Sequence, residues 1–233
     1  MVYCILIPFI GTCIGSLIIF FIRTEIKTNM ENIILGLAAG IMMAASIWSL
    51  IIPSIDIGNV YKSSIGLLLG IFLFYLLDRL VIDKDYFILD KVMFAISVHN
   101  IPEGMAVGVL LSSYMLGNAS LISCLALSIG IGIQNIPEGF IVSLNKFKKG
   151  YTSYKSFIYG FISAIFELLG CLITLLFTNT VSTLLPYLLS IAAGAMIYVI
   201  VLELIPESNN ENKLNVFGFI VGFIIMMILD VIL

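Results

Sequence analysis

The chain has 233 residues, of which 61% are hydrophobic and 11% charged, with a formal net charge of −3 at pH 7. Its mean hydropathy is +1.18, whereas a soluble domain carries roughly 25% charged residues. This balance argues against a soluble enzyme and leaves no basic surface for nucleic acid; at ~20 residues per span there is room for about eight membrane helices.

Charged and turn-rich breaks separate eight apolar segments. The first, 2–22, has no basic leading region and no small-residue cleavage site, so it reads as a helix and not a signal peptide. The second, 33–52, carries Ala38, Ala39, Gly40 and Met42, and the third, 63–82, carries Gly66, Gly70 and Asp78. The fourth, 92–113, contains His99 followed by Asn100-Ile101-Pro102-Glu103-Gly104. The fifth, 119–144, repeats the pentapeptide as Asn135-Ile136-Pro137-Glu138-Gly139, this time after Gln134. Glu167 stands in the middle of the sixth, 154–177. The seventh, 184–204, repeats the small-residue pattern as Ala192, Ala193, Gly194 and Met196; the eighth, 215–232, carries Gly218, Gly222 and Asp230. The whole is expected to be a single transmembrane domain over 1–233. Cys4, Cys13, Cys124 and Cys171 lie in apolar segments without a CxxC pair and read as packed small apolar residues.

Ten of the eleven basic residues fall in or flank odd-numbered connections, and only Lys62 falls in an even one. The positive-inside rule makes the basic side cytoplasmic, with both termini outside. Lys146, Lys148 and Lys149 read as an anchor at the membrane edge. The matches between segments two and seven are offset by 154 residues, and those between three and eight by 152. Segments one to three therefore look related to six to eight, five spans on and so upside down. The expected fold is all-α, with eight transmembrane helices in an inverted 3+2+3 repeat, an arrangement common in secondary transporters.

An ionisable residue in hydrocarbon is costly and marks function by default. On a helix, His99 and Asn100 share a face with Glu103, being four and three residues away. Gln134, Asn135 and Glu138 repeat that geometry on an antiparallel neighbour. Pro102 and Pro137 lack the N–H that would bond the carbonyls of Val98 and Ile133, and those carbonyls need another partner. With Glu167 added, the donors are three carboxylates, an imidazole and amide oxygens. Such a set suits zinc, and its oxygen-rich part also admits manganese, iron or cadmium. Buried carboxylates without counter-charge must protonate or hold a cation.

His-Asn-Ile-Pro-Glu-Gly and Gln-Asn-Ile-Pro-Glu-Gly resemble the paired motifs of the ZIP (Zrt-, Irt-like protein) divalent-metal transporters, especially short bacterial members. Residues 198–207, which include Glu-Leu-Ile-Pro-Glu, are similar to the family pattern of span seven. The resemblance implies uptake of divalent cations, zinc first, into the cytoplasm across the cell membrane. It implies two metal positions: His99, Glu103, Gln134 and Glu138 at one, and Asn100, Glu103, Asn135, Glu138 and Glu167 at the other, with Glu103 and Glu138 bridging. It also implies an outer entrance at Ser49, Pro53 and Asp56, faced by Glu203. Helices 1, 4, 5 and 6 would move as a bundle against a scaffold of 2, 3, 7 and 8. The chain departs from relatives that carry Asp at position 135 or His at 134. The metal is cargo, no resident cofactor is expected, and the partners are divalent metal ions and the lipid bilayer. Glycine spacing leaves a homodimer open.

Two other classes stay open from the residues alone. In a cation/proton antiporter or channel, Glu103, Glu138 and Glu167 would carry protons. In an intramembrane metalloenzyme, His99 and Glu103 would be ligands, but one histidine and no HExxH make this poor zinc-hydrolase chemistry, and the chain is not expected to be an enzyme.

Overall fold

A computed structural model describes residues 1–22, 28–81, 91–205 and 213–232. Helix α1 (Val2–Leu17) ends in a 3-10 turn, Ile18–Phe21. Helix α2 (Thr28–Ala45) continues through a π segment, Ser46–Ile51, into a last helical stretch, Ile52–Ile57. Then come α3 (Val60–Val81), α4 (Lys91–Met115), α5 (Leu121–Lys148) and α6 (Ser153–Leu176). Helix α7 (Thr178–Val199) also runs into a π segment, Ile200–Leu204, and α8 is Leu214–Ile232. There is no strand among the described residues.

Backbone polar groups in hydrocarbon must be satisfied within the segment, which is why apolar runs of this length become helices. Six helical stretches are long and apolar enough to cross a membrane: Val2–Phe21, Asn32–Ile57, Leu121–Lys148, Ser153–Leu176, Thr183–Leu202 and Leu214–Ile232. Leu68 and Phe72 of α3, and Ile220, Ile224 and Ile228 of α8, face outward. Contiguous apolar faces of that kind fit lipid and not water. The protein is a multi-pass membrane protein. Connections are capped where they are short. Ser120 Oγ accepts from the Ser123 N–H at 3.0 Å to start α5, and Gly150, at φ +86°, follows its end.

Helices α2 and α8 pack along each other, as do α3 and α7, α1 and α5, and α4 and α6. Glycines let the backbones meet. A Cβ at Gly40 would run into the Phe219 carbonyl oxygen, and one at Gly194 into that of Leu67. Gly40 and Gly194 stand 154 residues apart, and Phe219 and Leu67 stand 152 apart, so the contacts follow the two sequence offsets. The π segments follow them too, since Ser46 and Ile200 are 154 apart. Gly36, Gly40, Gly66, Gly70, Gly218 and Gly222 all meet neighbours within the one chain. Their spacing is therefore explained without a second copy. Met93 and Ile96 of α4 and Ile141 and Val142 of α5 share the main apolar core with Met42 of α2 and Leu189, Ala193 and Met196 of α7.

Candidate functional site

The polar residues singled out in segments four to six converge inside the α1, α4, α5 and α6 group. Asn100, Glu103, Gln134, Asn135 and Glu138 are fully buried and Glu167 nearly so. Gly104 lets α4 approach the backbone of α6 at Glu167. The first link is Gln134 Nε2 donating to Glu103 Oε1 at 2.5 Å. The second is Asn135 Nδ2 donating to Glu167 Oε2 at 2.9 Å. Asn100 Nδ2 donates to the Ser163 carbonyl at 3.2 Å. Each amide thus spends its N–H group, leaving its carbonyl oxygen aimed elsewhere.

The result is a set of buried acceptors with no donor. Asn100 Oδ1, Glu103 Oε2, Gln134 Oε1, Asn135 Oδ1 and Glu167 Oε1 accept no hydrogen bond. Glu138 and Glu167 both repel Glu103, and Glu138 repels Glu167. Orphaned buried acceptors are rare in native proteins because each forfeits its hydration. Several orphans of one polarity in one place can be satisfied chemically by protons or by a cation. Among the described residues no three His, Cys, Asp or Glu side chains form a ready-made metal cage, because the carboxylates are interleaved with amides. The side chain of His99 lies outside the described residues, as does that of Glu203; the His99 backbone belongs to α4.

Of the expected entrance residues, Ser49 and Pro53 line a cavity of about 260 Å³, together with Trp48, Gly130 and Asp230. Ser49 Oγ donates to Asp230 Oδ1 at 2.9 Å, and Asp230 Oδ2 has no partner. Asp56 is exposed and lies outside this cavity. Asp230 was not among the expected site residues. Its signal was an aspartate in an otherwise apolar final segment, but its role depends on α8 packing against α2. Gly130 precedes Gln134 by four residues on α5, so the cavity opens one helical turn from the buried cluster.

Lys146, one of the three lysines read as a membrane-edge anchor, is buried by its neighbours. It is 4% exposed, with its ammonium 4.1 Å from the Tyr159 ring centroid and 5.6 Å from that of Tyr151. Two aromatic faces replace water around the charge. The four cysteines are free thiols; Cys4, Cys124 and Cys171 pack with Val107 and Ile131 in one apolar cluster.

Residues 91–230 match the profile of the family described as ZIP Zinc transporter. The chain is 31% identical to zinc transporter ZIPB of Bordetella bronchiseptica, covering 95% of this chain and 77% of that protein. It is 29% identical to zinc transporter ZIP11 of Xenopus tropicalis over 94% of this chain and 93% of the relative. It is 28% identical to zinc transporter ZupT of Chlorobaculum parvum over 94% and 92%.

Proposed function

The chain belongs to the ZIP zinc transporter family, and from that premise we propose that it carries zinc and related divalent cations into the cytoplasm through the buried cluster between α4, α5 and α6. The observation that carries the reading is the group of partnerless carboxylate and amide oxygens on three membrane helices. A divalent cation would satisfy them together and screen the repulsion among Glu103, Glu138 and Glu167. In this reading Glu103 and Glu138 bridge two positions. His99 and Gln134 complete one; Asn100, Asn135 and Glu167 complete the other. Asn135 brings an amide oxygen and no charge, which lightens the negative charge of the second position. The metal is substrate, and no resident cofactor is needed.

Two further features favour a transporter. The glycine contacts and π segments recur at offsets of 154 and 152 residues, as an internal repeat requires, and in this reading the repeat is inverted about a midplane site. The α1·α5 and α4·α6 pairs hold the cluster, while α2·α8 and α3·α7 add none of its residues, which suits a moving bundle against a scaffold. In this reading the chain has eight spans, and the excess of lysine and arginine at odd-numbered connections favours both ends lying outside.

The cavity at Ser49 and Asp230 is the outer approach. Purified protein in vesicles should take up zinc saturably, and Asp230→Asn should raise KM by about tenfold while leaving Vmax near wild type, as for loss of a residue that orients cargo without holding it. Metal-independent proton flux without zinc uptake would favour an antiporter or proton channel instead. An unchanged KM in Asp230→Asn would remove that cavity from the route.

A further inference from the structure

The cluster has walls on α4, α5 and α6; the fourth helix of the group, α1, has a polar side chain of its own at the same place. Thr12 is fully buried, and its Oγ1 has no partner. A hydroxyl in a helix usually bonds the carbonyl four residues back. Buried hydroxyls elsewhere in this chain do so: Ser16 to Thr12 at 2.9 Å, Ser46 to Met42 at 2.8 Å and Ser128 to Cys124 at 2.7 Å. For Thr12 the corresponding carbonyl is that of Pro8, which instead faces Asn135 Nδ2 at 3.5 Å.

This carbonyl locates Thr12. Pro8 and Thr12 are four residues apart and share a face of α1. The amide that meets Pro8 also donates to Glu167. One turn on, the Thr12 carbonyl lies against Gly139, the neighbour of Glu138. Thr12 therefore stands between the Asn135–Glu167 pair and the Glu138 turn.

The internal repeat points to the same residue. Gly15 meets the Ile136 carbonyl as Gly170 meets that of Ile101, and Gly139 meets the Thr12 carbonyl as Gly104 meets that of Glu167. Each correspondence shifts α1 to α6 by 155 residues and α4 to α5 by 35. Under that relation Thr12 occupies in one half the position that Glu167 occupies in the other.

We propose that Thr12 Oγ1 is a further oxygen donor to the cation held by Asn135 and Glu167, closing the site from α1. The inference rests on the reading of the cluster as the metal site. A neutral hydroxyl is a hard ligand, so it supports cations satisfied by oxygen, manganese above all, more than zinc, which gains from imidazole.

The test is initial-rate uptake of manganese and zinc by vesicles holding wild type, Thr12→Val, Thr12→Ser, Thr12→Cys or Glu138→Ala. Thr12→Val keeps the shape and loses the hydroxyl. It should raise KM for manganese about fivefold, the scale of one lost polar contact, and raise it less for zinc. Thr12→Ser should restore wild-type values. Thr12→Cys puts a soft donor in place and should shift preference from manganese toward zinc and cadmium. That variant decides the matter if Thr12→Val does not fold, since a packing residue would not re-rank metals. Glu138→Ala without uptake, alongside Thr12 variants with a wild-type metal ratio, would overturn this inference alone. Full uptake in Glu138→Ala would overturn the site reading itself.

Discussion

Glu103→Ala and Glu138→Ala should each abolish zinc uptake, a loss on the order of 100-fold or more, since even groups that only orient a metal ligand cost 10- to 100-fold. Both carboxylates are fully buried, and in the proposed arrangement both touch each metal position. Asn100→Ala and Glu167→Ala remove donors from one position only and should weaken uptake or re-rank metals. A second readout separates function from folding. Glu103 is buried with a partnerless oxygen and repelled by two other carboxylates. Without metal this carboxyl must either protonate or stay repelled, and a neutral amide avoids both costs. Glu103→Gln should therefore melt at or above the wild-type temperature in metal-free detergent while failing to transport. If Glu103 were structural, the variant would lose stability along with activity. Equal, mild uptake defects at all four positions would sink the two-metal assignment.

The second large effect is on packing. Gly15→Ala and Gly170→Ala should destabilise the α1·α5 and α4·α6 pairs, because the added methyl meets the backbone carbonyls of Ile136 and Ile101. Backbone cannot swing aside as a side chain can, so the helices must separate. Overpacking of this kind costs about 1–3 kcal/mol or more. The two positions are equivalent in the two halves, so their losses should be similar. Gly130→Ala is the control, as the nearest atom to its added methyl is Asp230 Oδ1 at 3.8 Å, an ordinary contact. Thermal unfolding of the three variants in one detergent checks this. A Gly15→Ala protein as stable as Gly130→Ala would mean that the α1·α5 approach is looser than the geometry requires.

Much of this was legible in the residues. Charge and turn breaks marked most helices to within four residues, and α2 and the start of α7 to within six, because a membrane segment must be long and apolar and its ends need not be. The duplicated pentapeptide named the buried cluster, because carboxylates in apolar runs are costly and stand out. What could not be read depended on which helices touch. Asp230 meets Ser49 only because α8 lies on α2. Thr12 has a polar neighbourhood only because the Pro8 carbonyl faces Asn135. Helix α2 continues through its π segment to Ile57, beyond the segment read at 33–52, since a shift from i→i−4 to i→i−5 bonding has no residue pattern of its own. Asp56 matched a spacing, but at an exposed helix end outside the cavity. Lys146 reads in sequence as part of a membrane-edge anchor with Lys148 and Lys149; its burial is not legible there, because the Tyr159 ring beside it lies on the next helix.

The central claim is that the partnerless oxygens of Asn100, Glu103, Gln134, Asn135 and Glu167, together with the Glu138 carboxylate, hold a divalent cation, and elemental analysis of the purified protein tests it most directly. Wild type equilibrated with zinc and desalted should retain about one zinc per chain or more, because binding supplies what the buried carboxylates lack. The Glu103→Gln/Glu138→Gln double variant, folded by its melting curve, should retain almost none. Equal zinc in the two proteins would contradict the account.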